Sequence, residues 1–568
     1  MANSQFDLLR LTATKAARLL DERKTTSVEL VKAYLAQINA HNHSGLKINA
    51  LISVAPADLL LATAKKLDQE RSSGRSRSSL HGIPFVCKDV FVTHPSLGLP
   101  TTAGAPCFQT AVAKRTSPVI EHLLGMGMIL VGKANMTEFC GLKTPDHTTG
   151  WSPTGGQTQS PFVFGGLEED EKTIGHSSPG GSSSGSASAV AAGFVPLSIG
   201  TEVCGSIITP ASRAGLYALK CSNGAIKEDG CFGFSKHLDC IGGMAKSVED
   251  LAVLTSALMK RESPFDLGNR CCDGLRVAFT ELEGWIWPES ACSWPGETLI
   301  ETENCYAEAA SKLKSLGSQV TEKVDLTAPW AEFEMDDKSI FTEISRQSFC
   351  KNVPKMSISD DESVFDVLSE RLPAFINEFD TCKVRSLADI VAYNEQNKDV
   401  CMPREHEGQT DLTNLVEAPR DGANQKAMLV EMRRRGRLAL DAVLEDHDVV
   451  VSIADGPLPM HAAAAGWEIY PAEPASISHR NWNMHSGMNT GWTKVMADER
   501  LLYLGYPIAC VPLGVVKYSD ENQRPYGLSL TAGKGQEGKL LQFMAAFESA
   551  FPSRPLPRPL LQWRDTYD

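Results

Sequence analysis

Between Ser178 and Gly193 the chain reads Ser-Pro-Gly-Gly-Ser-Ser-Ser-Gly-Ser-Ala-Ser-Ala-Val-Ala-Ala-Gly, with almost no bulky side chain in sixteen positions. Glycines let a backbone turn sharply, and alanines and serines let a helix approach its neighbours closely. The small residues from Ala187 to Ala192 therefore predict a buried helix opened by the Gly/Ser loop, and Val195 to Ile199 predicts a strand after it. Such a unit belongs inside a layered fold.

The flanking sequence supplies the layers. Apolar residues recur at helical spacing from Thr12 to Leu20 and from Ser27 to Ile38 (Val28, Val31, Leu35, Ile38), with Thr26 and Glu29 placed as a capping box. Arg71 to Ser79 reads as a turn or short linker, and His81 to Phe91 as a short buried strand that carries a lysine. A helix over Val119 to Leu124 and an inner strand over Met126 to Val131 continue the alternation, which predicts an α/β fold. Helical patterns return at Glu301 to Leu316, Ser363 to Phe379 and Gln425 to Leu444, and a late inner strand at Asp448 to Ile453. The expected architecture is a central mixed, largely parallel twisted sheet covered by helices. Thr144 to Gly181 reads as a long surface loop whose acidic run, Glu168 to Glu171, is a solvated face. The region from 330 to 500, including 481 to 492, and the cluster Trp285, Trp287 and Trp294 read either as pocket wall or as packed loops.

Composition excludes several function classes. With 55 Lys and Arg against 69 Asp and Glu, the net charge of −14 has the wrong sign for gripping phosphate backbones, so nucleic acid is not expected as a ligand. The longest weakly polar run, Ala187 to Ile199, is too short for a bilayer, and the N-terminus lacks the pattern of a signal peptide. No membrane association or export is expected, and the localisation read is cytoplasmic. Fifteen cysteines without a CxxC pair read as reduced thiols, the neighbours Cys271 and Cys272 included.

Two glycine-framed serine sites lie close together, in the 178–193 loop and in Gly200-Thr-Glu-Val-Cys-Gly-Ser-Ile-Ile-Thr-Pro210. Unpaired N–H groups around such serines can stabilise an oxyanion in acyl transfer. A serine nucleophile needs a base. Lys88, inside the apolar run Ile83 to Val92, is the best candidate, because desolvation disfavours the charged amine. Taken alone, a Gly/Ser loop is also a plain helix entry, and a lysine beside Asp89 is also a salt-bridge partner.

In combination these features resemble the amidase signature family, whose members hydrolyse carboxamides with a Ser, cis-Ser, Lys triad on an α/β/α fold. The match runs from Leu11-Thr-Ala-Thr-Lys-Ala-Ala-Arg-Leu-Leu20 through Gly82-Ile-Pro-Phe-Val-Cys-Lys-Asp89 to Gly505-Tyr-Pro-Ile-Ala-Cys-Val-Pro-Leu-Gly514 and Pro525-Tyr-Gly-Leu-Ser-Leu530. Gly150-Trp-Ser-Pro-Thr-Gly-Gly-Gln-Thr-Gln-Ser-Pro161 and the insert before the serine loop look most like its fungal branch of general amidases. The resemblance implies catalytic Lys88, Ser182 on a cis peptide bond and Ser206 as nucleophile. It further implies an oxyanion hole from the backbone of Val203, Cys204, Gly205 and Ser206, with Ser183 as a supporting hydroxyl. It implies one amidase domain over 1–568, with a helical segment at 1–75, a signature core at 80–260 and a variable pocket region at 330–500. No cofactor and no metal are expected. The partner implied is a small-molecule amide, and a homodimer fits the same resemblance.

The chain departs from the family pattern in four places. Cys204 stands where a glycine is common, Glu202 where aspartate is, Ile208 where arginine is, and Ser184 where a loop glycine is. Two other roles within the family remain open, one of the A-type amidotransferase subunits that work in a complex and a non-catalytic scaffold. Among unrelated readings, Gly181-Ser-Ser-Ser-Gly185 also satisfies GxSxG, with Ser183 as nucleophile and His461 or His485 as base, but no apolar strand precedes it. No GK[ST] lysine follows the glycines and no HExxH pair occurs, and Glu445 to Asp448 reads as surface polarity. Substrates within reach of the reading are short aliphatic amides, aryl amides, indoleacetamide or a secondary-metabolite amide.

Overall fold

The computed structural model describes residues 6–144, 147–168, 171, 174–234, 238–282, 298–326, 365–417, 436–456, 458, 459, 462, 505–519 and 522–567. Eleven strands form one sheet: β1 (Leu51–Val54), β2 (Pro84–Lys88), β3 (Ile129–Ala134), β4 (Leu197–Glu202), β5 (Tyr217–Lys220), β6 (Cys240–Ala245), β7 (Arg276–Thr280), β8 (Gln319–Val324), β9 (Val449–Ile453), β10 (Ile508–Lys517) and β11 (Gln523–Thr531). Their order across the sheet is β1-β3-β2-β4-β6-β5-β10-β11-β9-β7-β8. The α/β class is as expected.

The sheet is mixed, but the expectation that it is largely parallel is wrong. Six neighbouring pairs are antiparallel. Four are parallel. A parallel pair needs a crossover of a dozen or more residues, usually a helix. Helix α4 (Pro118–Gly125) supplies one between β2 and β3, and α5 (Ser184–Ala191) lies between β3 and β4. Elsewhere the strands return antiparallel: β10 pairs with β11, and β6 lies between β4 and β5.

Local signals explain the N-terminal helices. Thr26 and Glu29 form the reciprocal capping box that starts α2 (Ser27–His41), and Thr12 caps α1 (Ala13–Asp21) through Lys15 N. A further helix, α3 (Ala57–Ser72), which is not among the sequence-based expectations, packs on α2 and buries Leu60, Ala64 and Leu67. The expected helix at 301–316 spans Thr298–Ser315 and that at 363–379 spans Phe365–Ile376. Of the one expected at 425–444, residues 436–444 are helical and the rest lie outside the described residues.

The segment 144–181 is not a plain surface loop. It folds into a hairpin (Trp151–Ser152 with Gly156–Gln157), and Thr158, Ser160, Phe162, Val163, Ser177 and Ser178 are buried. Buried loop backbone must find partners. Asn135 Nδ2 binds Gly156 O at 3.0 Å, Gln157 Nε2 binds Thr149 O at 3.0 Å, and Ser188 Oγ binds Gln159 O at 3.2 Å. The acidic run is likewise not wholly a solvated face, because the side chain of Glu171 is 3% exposed and accepts Ser177 N at 2.8 Å. No helix among the described residues is long and apolar enough to cross a membrane. The described cysteines, Cys271 and Cys272 among them, are free thiols.

Candidate active site

Lys88 is the last residue of β2, and β4 runs parallel beside it with Cys87 opposite Ile199. β2 has β3 on one side and β4 on the other, so the chain reverses its direction of travel across the sheet here. The carboxyl ends of parallel strands at such a point open onto a crevice. Lys88 is fully buried. Its neighbour Asp89 does not pair with it; Asp89 Oδ1 lies 3.1 Å from Lys133 Nζ, and its other oxygen takes Thr102 N at 3.0 Å. Lys88 Nζ instead lies 2.7 Å from Ser182 Oγ and 3.2 Å from Thr201 Oγ1.

The loop holding Ser182 is shaped by its small residues. Gly180 has φ +74°, and the Gly181–Ser182 peptide is cis. A Cβ on Gly181 would fall 2.6 Å from Thr137 Oγ1 and 2.9 Å from Thr149 Cβ, so the two glycines are required by conformation and by space respectively. Ser182 O accepts Thr137 N at 3.2 Å, and Ser184 Oγ, where the family often has glycine, donates to Gly180 O at 2.6 Å. Ser183 joins the two serine sites: its N donates to Ser206 O at 3.0 Å and its Oγ to Thr201 O at 3.1 Å. Buried and engaged in this way, Ser183 is no nucleophile elbow. His461 and His485 lie outside the described residues.

Ser206 sits half-buried in the loop that joins β4 to α6 (Ile208–Arg213). Gly205 has φ +118°, which only glycine adopts freely, whereas Cys204 keeps a negative φ and fits without its family glycine. The N–H groups of Val203, Cys204 and Ser206 donate to no acceptor among the described residues, while that of Gly205 faces the Glu202 carboxylate. The structure brings Lys88 and Ser182 into direct contact and ties Ser183 to Ser206. No hydrogen bond joins Ser182 Oγ to Ser206 Oγ.

Two features of the site were not visible in the sequence. Thr201 gives Lys88 a second hydroxyl. Arg213, fully buried, donates to Ser178 O at 3.1 Å, Ile174 O at 2.8 Å and Asp455 Oδ1 at 3.2 Å, so the helix that follows Ser206 grips the loop that leads to Ser182. A periodic pattern carries no trace of such long-range pairs. The cluster at Glu445 to Asp448 is not a metal set: Asp448 pairs with Arg276 at 2.9 Å, and His447 binds Val443 O and Thr321 Oγ1. The 481–492 segment and Trp285, Trp287 and Trp294 lie outside the described residues.

The family model described as Amidase matches residues 29–293, a span that holds Lys88, Ser182 and Ser206. The matched span is just under half of the chain, and over it the chain is similar to the amidase signature family. The chain is an amide-hydrolysing enzyme. A Schizosaccharomyces pombe protein described as an amidase is 26% identical over 551 residues, covering 94% of this chain and 84% of that protein. The A-type chain of the glutamyl-tRNA(Gln) amidotransferase of Chloroflexus aurantiacus is 38% identical over 258 residues, 44% of this chain and 47% of that relative, so the match spans about half of its length. The X-ray structure of peptide amidase from Stenotrophomonas maltophilia has the same fold, with a TM-score of 0.73 at 24% identity over 96% of this chain and 98% of that one.

Proposed function

We propose that this amidase hydrolyses a linear carboxamide to a carboxylate plus ammonia or an amine, with Ser206 as nucleophile, Ser182 as proton relay and Lys88 as base. The observation that carries the reading is the 2.7 Å contact of Lys88 Nζ with Ser182 Oγ in a buried site, with Asp89, the carboxylate next to Lys88 in the chain, taken by Lys133. Ser206 Oγ attacks the carbonyl carbon while its proton passes to Ser182 and the Ser182 proton passes to the Lys88 amine. As the tetrahedral intermediate collapses, the C–N bond breaks and the proton returns through Ser182 to the leaving nitrogen. Water then attacks the acyl ester, its proton follows the same route, and Ser206 leaves as a hydroxyl.

The unengaged N–H groups of Val203, Cys204 and Ser206 suit the developing oxyanion. The relay requires Ser182 Oγ and Ser206 Oγ to close on each other once substrate is bound, and catalytic hydrogen bonds that are long in a free enzyme commonly tighten in this way. Because strands from Leu51 to Thr531 share one sheet, we read the chain as a single amidase domain.

A second reading, a component of an amidotransferase complex, draws on the match to the Chloroflexus protein. A panel of primary and secondary amides and the matching esters, assayed for released ammonia, amine or acid with the purified chain alone, separates the two. Turnover without partners, lost in Ser206→Ala, supports the hydrolase; turnover only in a complex supports the amidotransferase.

A further inference from the structure

Glu202 ends β4 and turns back over the loop that follows it. Its carboxylate is 1% exposed and accepts the backbone N–H of Ile207 at 2.6 Å and of Ile208 at 2.9 Å. One side chain thus pins the far end of the Ser206 loop to its start. Such bonds are about twice as strong to an ionised carboxylate as to a neutral group. A buried carboxylate, however, stays ionised only when a charge or hydrogen bonds compensate it.

The loop offers no cation, since residues 203–208 read Val-Cys-Gly-Ser-Ile-Ile. Lys220 does. It ends β5 opposite Gly242, while Glu202 lies opposite Cys240 on the same strand β6. Opposed residues share a sheet face, and positions 240 and 242 share one too. Glu202 and Lys220 therefore stand on one face, diagonal across β6. Lys220 is fully buried with no acceptor at Nζ, and Glu202 Oε1 has no donor. Burial pushes Glu202 above the ordinary carboxyl range, and the Lys220 charge is the chief opposing influence. The other titratable groups facing Glu202 are Cys204, Cys240 and Cys510, whose thiols burial pushes up and so keeps neutral.

We propose that Lys220 is a positioning residue for the nucleophile: its buried charge keeps Glu202 ionised, and ionised Glu202 holds Ile207 and Ile208 so that Ser206 and the N–H groups before it keep their places. This rests on the reading of Ser206 as nucleophile.

The test uses the rate at which a fluorophosphonate labels Ser206, followed by mass spectrometry across about pH 5 to 9, so no substrate need be known. Lys220→Met is expected to move the acid limb of the profile upward by about one pH unit, and Lys220→Arg to restore it. Glu202→Gln is expected to label about tenfold more slowly near neutrality, and adding Lys220→Met to it to change nothing further. An acid limb at the wild-type position in Lys220→Met overturns the proposal. So does a shift that persists with Gln at 202, which would mean Lys220 acts on Lys88 directly. If Lys220→Met fails to fold, Glu202→Gln decides, and wild-type labelling across the range overturns the proposal. Absence of label on Ser206 in the wild-type protein overturns the nucleophile assignment itself and the proposal with it.

Discussion

Lys88 Nζ lies 2.7 Å from Ser182 Oγ, while the carboxylate next to Lys88 in the chain, Asp89, faces away and binds Lys133. Adjacent residues at the end of a strand point to opposite faces, so the two halves of the Lys-Asp dipeptide serve different purposes. One faces the serine loops. The other anchors the sheet from behind.

That division predicts opposite phenotypes. Asp89→Asn leaves Lys133 as a buried cation without its counter-charge, and breaking a buried pair in this way costs about 3 to 5 kcal/mol. Urea denaturation should show the loss, with the activity per folded molecule changed far less than by Lys88→Met. A variant as stable as wild type would place the Lys133 interaction elsewhere.

Thr201→Val removes the hydroxyl 3.2 Å from Lys88 Nζ but keeps the backbone carbonyl that Ser183 uses. One hydrogen bond of about 1 kcal/mol corresponds to roughly a five- to tenfold fall in kcat/KM. Steady-state kinetics on any amide the enzyme accepts will measure it, and no change would mean that Thr201 does not help to orient the amine.

Gly181→Ala should cost activity through the relay loop alone. The new methyl would lie 2.6 Å from Thr137 Oγ1, so either the loop or Thr137 must move. Since misplacement of a catalytic group by about 1 Å can cost about a hundredfold, kcat should fall by about that factor while a folded, labelled protein is still recovered. Wild-type kcat would show that the loop has slack.

His406 stacks on Trp151 with ring centroids 4.1 Å apart, and burial, with His147 beside it, lowers its pKa from 6.5 to about 4. The unfolded chain then binds a proton that the folded state refuses between those values, so this residue's contribution to stability is present above pH 6.5 and is lost as pH falls toward 4. Thermal melts should show that His406→Phe flattens the fall in Tm across this window. An unchanged slope would assign the acid sensitivity to other groups.

The residues that were legible in the sequence are those whose type and spacing are local. The cis peptide before Ser182 and the lysine that closes an apolar strand lie where that reading put them, as does the capping box of α2. The parallel bias was misjudged because strand direction depends on how distant segments return, and nothing near β6 or β10 encodes it. The 144–181 segment looked like surface because polar residues dominate it, yet Asn135, Gln157, Ser188 and Arg213 satisfy its backbone and allow it to be buried. Glu202 stands where aspartate is common and Ile208 where arginine is, and the cation on its face is a lysine eighteen residues further on that only strand register brings near.

The central claim is that Ser206 attacks and Lys88 takes the proton through Ser182. The most direct measurement is the stoichiometry and site of fluorophosphonate labelling, by intact mass and peptide mapping, in wild type, Lys88→Met and Ser206→Ala. The account predicts one label per chain on Ser206, labelling at least about a hundredfold slower in Lys88→Met, and none in Ser206→Ala. A label on Ser183 or Ser182, or wild-type labelling without Lys88, would contradict it.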